Sequence, residues 1–318
     1  MASLVWQPIH GALDERARSG DRLFWIVAPF VKLDALERLF ESTKPGPGLK
    51  LICRWRPGDL LAGVSDLHVY DYLTGKGCEF YVNPQIHMKL YVFESNFAVC
   101  TSANLTLRGL GYGGIDLANI EVGSDVELAA TDWVNLYSLV RGSRLMTPGL
   151  YARFDEYVKT NPPLHKKEPI APDLLGPAKK FTLASLPATD SPAELADFYF
   201  NPTAFKERSE ATRRGFQDLA TFSIPLGLSR AEFETALGNA FCANPFIVEF
   251  VEYLRSEKSL RFGAVNAWIH EKCEDVPLPY RWEIKSNTHS LYNWLEHFFP
   301  SVSWDRPHHS QIIYWDRR

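Results

Sequence analysis

The sequence predicts an α/β domain, with a sheet lying between helices, followed by a mainly helical domain that ends in a β-hairpin. Three observations predict it. Short apolar runs alternate with amphipathic stretches over the first 160 residues. A Pro- and Lys-rich stretch interrupts the pattern at 160–190. Beyond it the apolar residues recur at helical spacing.

The elements follow in order. Residues 23–30 (LFWIVAPF) are a short apolar run closed by Pro29, the pattern of a buried strand. Residues 33–42 read as an amphipathic helix, and 44–48 (KPGPG) as the loop that stops it. Residues 49–55 (LKLICRW) read as a second strand and 59–75 as a helix. Residues 78–82, 87–93 and 97–102 read as three more strands, and 120–122 as another. Helices at 130–140 and 149–159 close the first domain, set at residues 1–165. Residues 166–189 are the linker, and 190–318 the second domain. There, helices are expected at 192–200, 229–241, 245–256, 263–271 and 286–299. Two short strands, 302–304 and 311–315, come last. Helices followed by a hairpin are the order of a winged helix.

Composition narrows the function. An apolar fraction of 46% is enough for a real core. No apolar run approaches the roughly 18–20 residues that cross a bilayer. The first residues carry no secretory pattern, so a cytoplasmic location and no membrane partner are expected. The five cysteines are odd in number and lack C-x-x-C spacing, which points to neither a disulfide framework nor a zinc site. Net charge is −4, with 20 basic against 20 acidic residues up to 180 and 14 against 18 after it. A grip on nucleic acid must therefore come from a local basic patch rather than from overall charge.

The informative stretch is 86–104 (IHMKLYVFESNFAVCTSAN). Strand alternation places His87 and Lys89 on one face and Met88, Leu90 and Val92 toward the core. Ser102 and Asn104 end the next strand, near the same face. Together His87, Lys89, Ser102 and Asn104 resemble the phospholipase D superfamily signature, H-x-K-x4-D-x6-G-[GST]-x-N, at full spacing. Glu94 stands where that signature has Asp, and Thr101 where it usually has Gly. The resemblance covers roughly residues 20–160 and implies a phospholipase D-like mixed sheet.

It also implies a chemistry, that of the single-motif nuclease branch. Neutral imidazole is a competent nucleophile near pH 7, so His87 would attack phosphorus and form a covalent phosphohistidine. Lys89, Asn104 and Ser102 would hold the non-bridging oxygens. Glu121 would fix a histidine tautomer, with Asp116 as its rival. The chain has one H-x-K, so a homodimer is implied in which the second His87 protonates the leaving group. No metal or cofactor is required. The implied activity is that of a metal-independent DNA endonuclease, of a restriction or phage-defence type. A phospholipid phosphodiesterase and a catalytically idle DNA-binding or assembly protein are the rivals.

Other residues are candidates on position alone. Arg54 and Arg56 end the second strand, where ligands collect in α/β sheets, and Arg54 is taken as substrate-binding. Residues 109–114 (GLGYGG) read as a flexible connection, a gate near the site. Lys285 and Asn287 are read at the start of the last long helix, facing DNA phosphates or bases. The second domain would thus recognise DNA or a protein partner. His289, His297, His308 and His309 lack metal-ligand spacing, and the tryptophans read as core.

Overall fold

The structure, a computed structural model, describes residues 4–114, 117–164, 181–201, 209–275, 279–307 and 310–316. The chain divides into two compact units, Met1–Pro169 and Ile170–Arg318.

The first unit runs β1 (Leu4–Trp6), α1 (Ile9–Arg18), β2 (Leu23–Ala28), α2 (Leu33–Ser42), β3 (Pro45–Cys53), α3 (Pro57–Leu61), α4 (Val69–Gly75) and β4 (Glu79–Val82). It continues with β5 (Leu90–Phe93), β6 (Phe97–Thr101), α5 (Leu107–Leu110), β7 (Val122–Glu127), α6 (Ala130–Gly142), β8 (Arg144–Leu145) and α7 (Pro148–Thr160). Among the described residues the sheet has eight strands, in the order β1-β7-β6-β5-β2-β3-β4-β8. β2, β3 and β4 are parallel and the other pairs antiparallel, so the sheet is mixed, as the resemblance implies.

The period of two along the strands sorts their side chains between two cores. Ile26, Ala28, Leu51, Cys53, Tyr91 and Phe93 face one side, where α1, α2, α4 and α7 cover them. Trp25, Val27, Ile52, Leu90, Val92 and Ala98 face the other, where α6 packs through Trp133, Leu136, Leu139 and Val140. The central strands are apolar throughout because both of their faces are covered.

Several expected boundaries move, each for a local reason. β5 begins at Leu90, not at residue 87. On its β2 side the ladder stops at the Val27↔Leu90 pair, next to Ala28 and Pro29; a proline has no N–H to extend it. Met88 therefore leaves the pleat and is 43% exposed instead of in the core. The KPGPG segment lies mostly inside β3, because β4 pairs only with Lys50–Cys53 and leaves the proline end with one neighbour. The single helix expected at 59–75 is two, α3 and α4. Gly63 at φ +65 turns the chain, and the Asp66 carboxylate accepts from Leu33 N (2.8 Å) and Lys32 Nζ (2.5 Å). The strand expected at 120–122 instead runs from Val122 to Glu127, and Ile120 is 94% exposed. β1, α1 and β8 are further elements that the sequence reading left out.

The second unit comprises α8 (Pro192–Phe200), α9 (Glu210–Thr221), α10 (Arg230–Ala243), α11 (Pro245–Glu257), β9 (Ser259–Arg261), α12 (Phe262–Lys272), α13 (Arg281–Phe298), β10 (Val302–Asp305) and β11 (Ile312–Trp315). β9, which the sequence reading also missed, pairs with β11, giving an antiparallel sheet in the order β10-β11-β9. The order α11–β9–α12–α13–β10–β11 is that of a winged helix. α9 was missed too; Ser209 caps it, its hydroxyl accepting from Thr212 N at 3.1 Å. Much of the expected linker lies outside the described residues, and from Phe181 the chain already belongs to this core, with Phe181 and Leu186 buried. Buried Asp218 accepts from Ala188 N, Thr189 N and the Thr189 hydroxyl at 2.6–2.8 Å.

Candidate functional site

Strand direction gathers the signature residues. β5 starts where the parallel strands β2 and β3 end, because Val27 pairs with Leu90 and Ala28 with Cys53. β6 is antiparallel to β5, so Ser102 and Asn104 leave the sheet at that same end; Thr101 N donates to Lys89 O at 3.1 Å. β7 is antiparallel to β6, and Ser102 N donates to Val122 O at 2.9 Å, which brings Glu121 alongside. His87, Lys89, Ser102, Asn104, Glu121 and Arg54 thus share one end of the sheet although 67 positions separate Arg54 from Glu121.

His87 is exposed, and no hydrogen bond of its imidazole occurs among the described residues. Lys89 is partly buried, and its Nζ donates to His87 O at 3.0 Å rather than lying against the ring. Burial holds the ammonium below its ordinary range, the Glu121 carboxylate opposes that shift, and the Arg54 charge adds to it. Lys89 therefore feels both Glu121 and Arg54, the electrostatic mark of one shared site.

Glu121 is bonded to groups other than the expected histidine. Its two oxygens accept from the Ser102 hydroxyl and from Asn119 Nδ2, the latter at 3.2 Å. The Ser102 oxygen also accepts from Val122 N at 3.2 Å. Glu121 and Ser102 thus brace the β6–β7 edge, and no described bond joins Glu121 to His87. Asn104 Oδ1 is buried without a hydrogen-bond partner. Asp116 lies outside the described residues.

Thr101 fits where the signature has glycine because the glycine sits across the ladder. Thr101 pairs with Gly123, where an added Cβ would come within 2.8 Å of Cys100 O and 3.0 Å of Thr101 Cβ. The Thr101 hydroxyl donates to Val122 O at 3.0 Å and accepts from Ala103 N at 3.1 Å. The GLGYGG segment is not a free gate over its first half. Gly109 is packed so closely on Asn104 that a Cβ would stand 2.5 Å from the Asn104 carbonyl oxygen. Gly111 ends α5 at φ +85 against Gln7 and Pro8. Close packing, not mobility, explains these glycines.

Arg54 is already engaged. Its Nε and Nη2 donate to the two Asp59 oxygens at 2.8 and 2.6 Å, and its guanidinium lies over the Phe30 ring at 4.6 Å. The Asp59 carboxylate holds it above its ordinary range. Next to it Trp55 is buried at φ +36, an unusual conformation for a bulky residue, and its indole N–H has no partner. Glu94 stands at the opposite end of β5, exposed above Gly46.

In the second unit α13 begins at Arg281, so Lys285 and Asn287 lie one to two turns inside the helix rather than at its start. Lys285, His289, Arg306 and Gln311 line a cavity of about 580 Å³ between α13 and the hairpin. Burial, then the charges of Lys285 and Arg306, hold His289 below its ordinary range. Its Nδ1 lies 3.0 Å from Gln311 Nε2. Asn287 does not line this cavity. His308 and His309 lie outside the described residues. Among the described residues no group of three or more His, Cys, Asp or Glu side chains could hold a metal ion, and no helix is long and apolar enough to cross a membrane.

No family model and no curated protein matches the chain. Solved structures do. One is Nuc, a phospholipase D family member from Salmonella typhimurium, at 14% identity and a TM-score of 0.35, covering 46% of this chain and 97% of that one. Another is NucT from Helicobacter pylori, at 12% identity and a TM-score of 0.33, covering 46% of this chain and 99% of that one. A third is TrmBL2, an archaeal chromatin protein described with a novel mode of DNA binding, at 10% identity and a TM-score of 0.30, covering 46% of this chain and 53% of that one.

Proposed function

We propose that the chain is a metal-independent phosphodiesterase of the phospholipase D superfamily, acting on DNA as a homodimeric endonuclease. The observation that carries the reading is the meeting of His87, Lys89, Ser102, Asn104 and Glu121 at one sheet end, with the imidazole exposed and uncommitted. In this reading His87 attacks phosphorus, the bond to the leaving oxygen breaks, and that oxygen takes a proton from His87 of the partner subunit. A water then attacks the phosphohistidine, gives its proton to that second imidazole, and the phosphorus–nitrogen bond breaks. Lys89 neutralises the non-bridging oxygens, and the Asn104 amide donates to them. Ser102 and Glu121 are positioning residues that fix the edge carrying Asn104.

Exposed apolar side chains flank this end and support a partner there: Ile120 (94%), Leu117 (60%) and Met88 (43%). The second unit supplies recognition in this reading, with Lys285 and Arg306 beside the α13–hairpin cavity as phosphate contacts. A restriction or phage-defence role is the biological setting proposed.

The test is cleavage of DNA, RNA and phosphatidylcholine in parallel, with and without EDTA. DNA cleavage that survives EDTA and vanishes in His87→Ala, with folding and dimer mass unchanged, supports the reading. Cleavage lost on chelation and restored by Mg²⁺, or undiminished in His87→Ala, removes it; turnover of the lipid alone moves the substrate class.

A further inference from the structure

Beyond the catalytic end, the first unit carries a second feature that the reading above leaves unused. Pro57, Arg144, Leu150, Arg153, Phe154 and Tyr157 line a groove of about 210 Å³ where the start of α3 faces β8 and α7. No carboxylate is among these lining residues. Arg144 and Arg153 are exposed, and neither joins an ion pair among the described residues. Arg38 and Lys159, by contrast, are held by Glu41 and Asp155. Arg153 and Tyr157 stand one turn apart on the same face of α7, and Tyr157 is 43% exposed. Its ring makes no ring–ring contact among the described residues.

The groove is tied to the catalytic end by short covalent and hydrogen-bonded steps. Arg56, next to Pro57, donates from Nε and Nη2 to Pro84 O at 3.0 and 2.7 Å, and Pro84 is three residues before His87. Asn83 Nδ2 donates to Ser143 Oγ at 3.2 Å, next to Arg144. Arg144 itself pairs with Val82 across the β4–β8 edge. Arg56 and Arg144 thus stand at the end of the sheet that carries Lys89, while the Arg54 charge is met by Asp59.

We propose that this groove is a track for a single-stranded nucleic-acid segment lying beside the scissile phosphate, with Arg144 and Arg153 on backbone phosphates and Tyr157 under a base. The charge fits a polyanion, and an exposed aromatic ring next to a guanidinium fits an unstacked base, which a duplex does not present. It answers the even charge balance of the first 180 residues: the grip is local. The proposal rests on the phosphodiesterase reading only for what happens at His87; binding in the groove stands by itself.

The experiment measures binding of a fluorescent oligothymidylate, and of a duplex of the same length, to the full chain carrying His87→Ala. Tyr157→Leu is expected to weaken single-strand binding by about tenfold. Arg144→Ala with Arg153→Ala is expected to flatten the salt dependence by about 1.4 in log–log slope, about 0.7 for each phosphate no longer neutralised. Arg38→Ala, which removes a charge elsewhere, is expected to change neither. All the replaced side chains are exposed, and an unchanged melting temperature confirms the fold of each variant. Unaltered affinity and slope in the groove variants overturn the track, as does equal weakening by Arg38→Ala. Loss of duplex binding to the same extent overturns the single-strand assignment. Retained cleavage in His87→Ala would sink the catalytic reading alone, leaving the groove result separate.

Discussion

At the far end of β5 the polar groups close on one another. Ser95 gives its backbone N–H, at 3.1 Å, and its hydroxyl to Asp21. Glu94 N donates to Arg22 O at 3.0 Å, and Leu128 N to Asn96 O at 2.7 Å. At the near end of the same strand they stay open. Among the described residues the His87 ring has no hydrogen-bond partner, Lys89 Nζ donates to a carbonyl, Asn104 Oδ1 is buried and unsatisfied, and Trp55 is held at φ +36. A buried amide without a partner costs about 1–3 kcal/mol, and a strained residue a similar amount. The comparison separates the two acidic residues of the region: Glu94 belongs to the closed end and Glu121 to the open one.

Three measurements break or sharpen this contrast. The largest effect is expected for Lys89→Ala, a fall of about 10²–10³ in kcat with folding unchanged, against less than about twofold for Glu94→Ala; similar losses from both would erase the difference between the ends. A middle-sized effect concerns pH. The ammonium of Lys89 sits below the ordinary lysine range because of burial, and Glu121 pulls it up. Removing that carboxylate in Glu121→Gln therefore lowers it further. The alkaline limb of the rate profile should move to lower pH, and a limb that stays put or rises would show that Lys89 does not set it. The smallest effect is Asp21→Ala at the closed end. It should lower the unfolding free energy by about 1 kcal/mol, seen as a lower urea midpoint, and leave the rate alone.

The residues that were legible are those whose partners are close in sequence or set by alternation. The runs LFWIVA and LYVF announced buried central strands, and the structure covers both of their faces. The 87–104 spacing announced that two strand ends meet, because an antiparallel connection of three residues leaves little choice. Where sequence reading failed, a distant partner decided. Gly109 and Gly111 looked mobile because their reason, the backbone of Asn104 and the Gln7–Pro8 turn, lies outside the segment. Thr101 looked awkward because the compensating Gly123 is 22 residues on, across the ladder. α9 was missed because one face of it is strongly charged, and only Ser209 marked its start.

By itself, then, the sequence determined the α/β class, the helix-rich second half and the candidate residues for the proposed site, since strand period and residue chemistry are local properties. Which end of the sheet collects those groups, that Glu121 braces Ser102 rather than a histidine, and that Arg144 and Arg153 line one groove with Tyr157 were decided by tertiary structure alone. The reason is physical: strand register and helix docking are set by burial summed over the whole sheet, and no short window of residues contains that sum.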